Sequence, residues 1–386
     1  MKPSADPRAG APNQSLSRAA PSGRMEAEVS AALRPQSATA PLFVPLAGGK
    51  IRCTACARYC TIPEGSHGFC YVRKNEHGRL VLLTYGRAAA VQVDPVEKKP
   101  LSHYRPGSRV LSIGTVGCNW RCQYCQNAEI SQEQVVQGRE LSPKQAAATA
   151  ERFDCQGVTF TYNEPTIFAE YALDIIREAK SRGLFANFVT NGYMTPEAVD
   201  AIGPHLDAVS VDFKGSGEPG FLRKYISAKG PEPIFDSAVR LKAMGVHVEV
   251  TNLIVPEVGD DKDALRKLAR FVREELGPET PFHLLRWHPD YKMLDLPQTP
   301  IPTLEALHAI AKEEGLEYVY LGNVWGHKLE HTYCAHCGAV AVRRYGFTIQ
   351  DWALGPGNRC RACGHSVPIV GSLSESYVPT FATPVG

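Results

Sequence analysis

The run Arg109-Val110-Leu111-Ser112-Ile113-Gly114 has strand character, and two residues later it meets Gly117-Cys118-Asn119-Trp120-Arg121-Cys122-Gln123-Tyr124-Cys125. Three sulfurs on one loop, spaced by three residues and then two, can hold three irons of a cubane and leave the fourth without a protein ligand. A structural zinc site has no use for such a vacancy, because four protein ligands close its shell. The strand in front matters as much. Where parallel strands alternate with helices, chemistry sits on the loops that leave the C-terminal strand ends.

Downstream of this loop the alternation continues. Short apolar or β-branched runs at 157–161, 184–190, 207–213, 247–255, 281–286 and 317–321 follow the first at 109–114. Between them lie amphipathic helical stretches. Ser142-Pro143 and Thr195-Pro196 each read as an N-cap followed by proline at the first helical position, and Gly183, Gly245 and Gly315 sit where helices stop. This pattern predicts an α/β fold of parallel strands with right-handed crossovers. Six or seven units fall short of the eight of a full barrel, so the expectation is a partial (β/α)6 TIM-type barrel over 108–321.

Polar groups recur at the predicted strand ends: Thr161-Tyr162-Asn163-Glu164-Pro165, Thr190-Asn191-Gly192, Asp212-Phe213-Lys214 and Pro281-Phe282-His283. Each has a plainer reading. Glu164 suits a helix start, Asn191-Gly192 a turn, Asp212 and Lys214 a solvated ion pair, and His283 a satisfied core histidine. Their recurrence on one rim, in order behind the cysteine loop, favours a functional site.

The 386 residues contain twelve cysteines, and Cys155 alone stands apart from three clusters. Besides Cys118, Cys122 and Cys125, these are Cys53, Cys56, Cys60 and Cys70, and Cys334, Cys337, Cys360 and Cys363. A disulfide framework would accompany a signal peptide and a small domain poor in core, and the N-terminus has no apolar h-region. Metal ligation in a reducing, cytoplasmic setting is the better reading. Glycines after the last pairs, Cys337-Gly338 and Cys363-Gly364, fit two knuckles around zinc in a ribbon-like module over 322–371, against a rubredoxin-like iron site. His331, His336 and His365 are left as surface residues, since four thiolates complete the shell. For the N-terminal set, a closed four-thiolate site within 49–107, zinc and an auxiliary Fe–S cluster fit equally. Cys155 reads as a buried free thiol. Residues 1–48, half of them Ala, Pro or Ser, read as a disordered leader with Met25 as an alternative start, and 372–386 as a tail. With 44% hydrophobic and 21% charged residues the chain is globular in composition. A net charge of +2 argues against broad nucleic-acid binding, and no apolar stretch is long enough to span a membrane.

The cysteine loop, with Tyr124 before its last cysteine, resembles the signature of radical S-adenosylmethionine enzymes. That resemblance implies a [4Fe–4S] cluster on Cys118, Cys122 and Cys125 whose fourth iron binds S-adenosylmethionine. It also implies a low-potential electron donor of the flavodoxin or ferredoxin type, and a 5′-deoxyadenosyl radical that abstracts hydrogen from substrate. By the same resemblance Glu164 matches the acidic end of a Gly-Gly-Glu segment, with Tyr162-Asn163 in place of the glycines. Tyr124, Asn163, Asn191, Asp212, Lys214 and His283 then fall at the cofactor pocket, as in the glycyl-radical activases. Val189 and Thr251 depart from the activase pattern, at an expected acidic residue and an expected arginine.

A closer resemblance, over about 52–371, is to the AmmeMemoRadiSam-system radical SAM enzymes. It is carried by the Cys53–Cys70 module with Arg73-Lys74-Asn75, Asp94-Pro95-Val96-Glu97-Lys98-Lys99-Pro100-Leu101, Thr251-Asn252-Leu253, Gly322-Asn323-Val324 and the final cysteine pairs, with Ala57 where proline is expected. The rival readings are an activase acting on a partner protein, a zinc-ribbon scaffold without chemistry, and an electron-transfer protein. The last two have no need of the three-cysteine vacancy or the polar rim.

Overall fold

The computed structural model describes residues 41–379 and 381–385. The leader expected over 1–48 lies outside the described residues as far as 40, but its end is folded. Phe43–Pro45 is a strand paired antiparallel with Ile51–Cys53. Leu42 is buried and its N–H donates to Glu170 Oε1 at 2.9 Å, so the ordered chain begins before residue 48.

Seven parallel strands form the centre: β2 (Arg109–Gly114), β3 (Gly157–Phe160), β4 (Phe185–Thr190), β5 (Ala208–Lys214), β6 (His247–Ile254), β7 (Phe282–Arg286) and β8 (Val319–Gly322). They lie in chain order, as successive right-handed crossovers require. The six main crossover helices are α1 (Pro143–Arg152), α2 (Ala169–Lys180), α3 (Pro196–Ile202), α4 (Glu232–Ala243), α5 (Lys262–Phe271) and α6 (Ile301–Glu313). Six strand–helix units and a seventh strand make an open, partial barrel. One element is not foreseen. Ala90–Pro95, part of the supposed connector, is strand β1, antiparallel to β2 at the sheet's edge, and Thr383–Pro384 pairs outside it.

Local chemistry explains these elements. Strands buried on both faces are rich in apolar residues, and Gly157–Phe160 is wholly buried with Thr159 as its one polar side chain. A capping box between Ser142 and Gln145 starts α1, and the Thr195 hydroxyl accepts the Ala198 N–H at the start of α3. In the interior Phe160 meets Phe188 edge-on with centroids 5.4 Å apart. The C-terminal segment adds a three-stranded meander, β9 (Thr332–Tyr333), β10 (Val340–Tyr345) and β11 (Thr348–Trp352), with its own core around Ala341, Val342, Ile349 and Val367 packed on Tyr318 and Tyr320. Among the described residues no helix is long and apolar enough to cross a membrane.

The N-terminal cysteine segment is fastened to α2 by a buried ion pair. Arg73 donates to both carboxylate oxygens of Glu170, at 2.8 and 2.7 Å, and to the Ile167 carbonyl at 3.1 Å. Removing one member of such a pair strands the other charge without solvent. Glu170→Ala is therefore expected to lose about 3–5 kcal/mol of stability, read as a lowered urea midpoint. Lys180→Ala, which breaks the more exposed pair with Asp207, should lose about 1 kcal/mol or less.

Candidate active site at the open ends of the strands

Strand β2 ends in the cysteine loop, and the side chain of Asn163, just past β3, holds that loop. Its Oδ1 accepts the Thr115 N–H at 3.1 Å, and its Nδ2 donates to Thr115 Oγ1 at 3.0 Å and to the Gly117 carbonyl at 2.9 Å. Gly117 has φ +84°, and a Cβ there would stand 2.5 Å from the carbonyl oxygen of Cys70, so only glycine fits. Further along, the Arg121 and Gln123 N–H groups donate to the carbonyls of Ile226 and Tyr225, each at 2.9 Å. Tyr124 is buried beneath the loop against Trp287, edge-on with centroids 6.5 Å apart. The Trp120 N–H points at Cys118 Sγ, 3.4 Å away, and Cys125 Sγ lies 3.0 Å from Ser131 Oγ.

One cavity of about 570 Å³ collects the whole set. Cys118, Cys122, Tyr124, Cys125, Asn163, Glu164, Asn191, Asp212, Lys214 and His283 all line it. Their individual states differ. Glu164 is buried; its Oε1 accepts from Thr166 N and Oγ1 and from Thr190 Oγ1, while its Oε2 accepts only the Asn191 N–H at 2.7 Å. Burial raises its pKa, against the pull of those donors. The Asn191 amide donates to Asn119 Oδ1 at 2.8 Å. Lys214 forms an ion pair with Asp212 Oδ2. Burial works against the Lys214 charge, but Asp212 and then Cys122 more than compensate and raise its pKa. Burial pushes the Cys118 thiol up to about 12, so iron must displace a proton to bind there. His283 Nε2–H donates to Glu249 Oε2 at 2.7 Å and the ring stacks on Tyr320, centroids 5.1 Å apart.

The sequence reading misses part of this wall. Tyr162 stands where the resembling enzymes carry glycine and adopts φ +73°, a left-handed conformation that glycine takes freely. Its hydroxyl donates to Asp94 Oδ2 at 2.8 Å and Lys99 lies 5.0 Å over its ring, contacts that offset a strain of about 1–3 kcal/mol. Lys99 is itself buried on Asp94, at 2.6 Å; burial pulls its pKa down to about 8 although Asp94 opposes this. Lys98, Trp325, Glu330, Arg344 and Phe347 complete the outer wall. Glu249, behind His283, could have been suspected as a carboxylate in the middle of a buried strand.

The three cysteine sets differ in spread. Among the described residues, only Cys334, Cys337, Cys360 and Cys363 bring their ligand atoms all within 4.8 Å of one another. Cys334 and Cys363 sulfurs are 3.7 Å apart, and those of Cys337 and Cys360 3.8 Å. Four sulfurs about 2.3 Å from one tetrahedral ion lie about 3.8 Å from each other, so this set fits a single metal ion. Of the neighbouring histidines, His336 and His365 are exposed, whereas His331 is half-buried and accepts the Arg344 N–H at 3.2 Å. Cys155 is a buried free thiol.

The radical SAM superfamily model matches residues 112–272. The chain is 43% identical over 334 residues to the uncharacterized protein MJ0808 of Methanocaldococcus jannaschii, covering 86% of this chain and 99% of that protein. It is 29% identical over 207 residues to a pyruvate formate-lyase-activating enzyme of Clostridium pasteurianum, covering 50% of this chain and 84% of that one. Against the pyruvate formate-lyase 1-activating enzyme of Escherichia coli K12 it is 24% identical over 233 residues, 56% of this chain and 93% of the relative. The superfamily's [4Fe–4S] cluster and S-adenosylmethionine suit the donors present. Three cysteines open into one cavity, and Tyr124 Oη, Asp212 Oδ1 and Trp120 Nε1 on its wall are buried without a partner among the described residues. On the match, the cysteine loop and the rim together, residues 112–272 form a radical SAM domain and the chain is an enzyme of that kind.

Proposed function

We propose that Cys118, Cys122 and Cys125 hold the cluster, that the polar rim seats S-adenosylmethionine at its open corner, and that the resulting radical takes hydrogen from a substrate entering beside residues 322–347. One observation carries this reading: the three-cysteine loop opens into the same cavity as Glu164, Asn191, Asp212 and Lys214. When bound, the reduced cluster supplies the electron that cleaves the C5′–S bond. The chain's own residues bind and orient. Glu164 Oε2 has room for a second donor, and a methionine ammonium there would keep the buried carboxylate ionised. Asp212 Oδ1 lacks a partner among the described residues and can accept from a ribose hydroxyl. Lys214, between Asp212 and Cys122, offsets negative charge beside the sulfurs. A flavodoxin- or ferredoxin-type donor would supply the electron.

Membership of the AmmeMemoRadiSam-system group rests on the Asp94–Leu101 segment and the final cysteine pairs, and the first of these forms part of the cavity wall through Glu97, Lys98 and Lys99. The similarity to pyruvate formate-lyase-activating enzymes favours a second reading, in which the substrate is a glycine of a partner protein. A glycyl-radical signal on a co-purifying polypeptide would decide for it.

Anaerobically reconstituted, reduced protein given S-adenosylmethionine is expected to release 5′-deoxyadenosine, and Cys122→Ala none. Iron-loaded wild type that yields no product would overturn the reading. Asn163→Ala leaves the buried Thr115 N–H and Gly117 carbonyl unpaired, at about 1–3 kcal/mol each. Less iron should therefore survive gel filtration, even though no iron ligand has been removed. We also assign zinc to the C-terminal set, on its single-ion spacing. Cys337→Ser should lose zinc and lower the melting temperature while iron per chain is unchanged.

A further inference from the structure

We propose that Cys53, Cys56, Cys60 and Cys70 hold a second [4Fe–4S] cluster rather than a zinc ion. All four are free cysteines; Cys53, Cys56 and Cys70 are buried and Cys60 is partly so. They converge: Cys56 is within electrostatic reach of the other three, as Cys70 is of Cys53 and Cys60. Yet no three of them lie within 4.8 Å of one another, whereas the C-terminal four do. A single ion draws sulfurs to about 3.8 Å separation, and a cubane, with an iron between its centre and each sulfur, holds them further apart. Cys118, Cys122 and Cys125 also exceed that limit, so the N-terminal set shares with the cluster loop a spread wider than that of the C-terminal site.

The surroundings of the sulfurs suit metal ligation. Each has an N–H facing it, as a metal-bound thiolate of either kind of site can accept. Arg73 Nε donates to Cys53 Sγ at 3.2 Å and the Phe69 N–H to Cys60 Sγ at 3.4 Å. The backbone N–H groups of Arg58 and Val72 serve Cys56 and Cys70, two residues on in each case, as Trp120 serves Cys118. Four protein ligands would leave no corner for S-adenosylmethionine.

This second cluster would abut the first. The Cys70 carbonyl touches Gly117, next to Cys118. Arg121, next to Cys122, donates to the Phe69 carbonyl at 2.6 Å, and the guanidinium groups of Arg58 and Arg121 lie 3.5 and 4.3 Å over the Phe69 ring.

Metal analysis of the full chain tests the assignment. Two cubanes and one ion predict about eight irons and one zinc per chain after anaerobic reconstitution. A ratio of about four irons to two zincs would overturn it. In Cys118→Ala/Cys122→Ala/Cys125→Ala, about four irons should remain, with a reduced-cluster EPR signal that S-adenosylmethionine does not alter. An iron-free triple variant carrying two zincs would sink the proposal. If that variant does not fold, the wild-type iron-to-zinc ratio still decides. The count stands apart from the reading of the active site, because the triple variant lacks that site.

Discussion

The amide of Asn163 is the contact on which the rest of this structure depends. A loop that must offer three sulfurs to one cluster has few backbone partners of its own, and without restraint it would sample many shapes. Asn163 removes that freedom by bonding both edges of the peptide run 115–117 from the neighbouring strand end. The loop thereby inherits the rigidity of the β2–β3 pair, which is in register from Gly157 opposite Val110 to Phe160 opposite Ile113. Gly117 then lets the chain turn under the Cys70 carbonyl, and Tyr124 fills the space beneath. The side chain matters here as scaffold: its two amide donors and acceptor are committed to the loop, and it meets the cavity as wall.

Beyond that loop, several buried charges are matched by hydrogen bonds or by a counter-ion. Glu164 gathers four hydrogen bonds from Thr166, Thr190 and Asn191, Asp212 is paired with Lys214, and Asp94 takes both Lys98 and Lys99. In a site shielded from water such charges are strongly felt. Among the described residues, one oxygen of Asp212 and Oε2 of Glu97 have no partner and Oε2 of Glu164 is lightly bonded, so the cavity wall keeps acceptors to spare.

Much of this was legible because it is local. The seven strands fall within about two residues of the apolar runs that predict them, and the ten expected site residues meet in one cavity because barrel geometry delivers every strand end to the same rim. What stayed hidden depends on contacts across the sequence. Residues 43–45 look like the end of an Ala/Pro/Ser-rich leader until Glu170, 128 residues away, accepts the Leu42 N–H. Ala90–Pro95 carries too much charge around it to read as a strand, yet pairs along its length with β2. The positive φ of Tyr162 is invisible in the sequence, since tyrosine does not advertise a conformation it enters only under tertiary constraint. The metal at the first four cysteines could not be chosen from their spacing along the chain, because ion and cubane differ in the distance between sulfurs and not in the number of residues between them.

The outer wall of the cavity is fixed by a chain of buried hydrogen bonds rather than by the sheet. Glu249 accepts the N–H groups of Ser102 and His103, at 2.9 and 2.7 Å, and meets His247 and His283. His103 passes the connection to the Tyr320 hydroxyl at 2.6 Å, Tyr320 to Thr332 at 2.9 Å, and Thr332 to Arg344 at 2.6 Å, which returns to the Ser102 carbonyl at 3.1 Å. Burial works against the Glu249 charge, but its two histidines hold it below the usual carboxylate range, and burial pushes His103 down to about 3. A buried network of this kind rigidifies what it joins, although Arg344 Nε within it has no partner among the described residues. Arg344 on one wall of the cavity is consequently tied to His283 on the other, and a shift of the C-terminal segment would disturb the rim. On the function proposed above, discrimination among substrates would belong to this wall, where Trp325 and Phe347 are presented, and the floor of cysteines and carboxylates would serve any substrate alike.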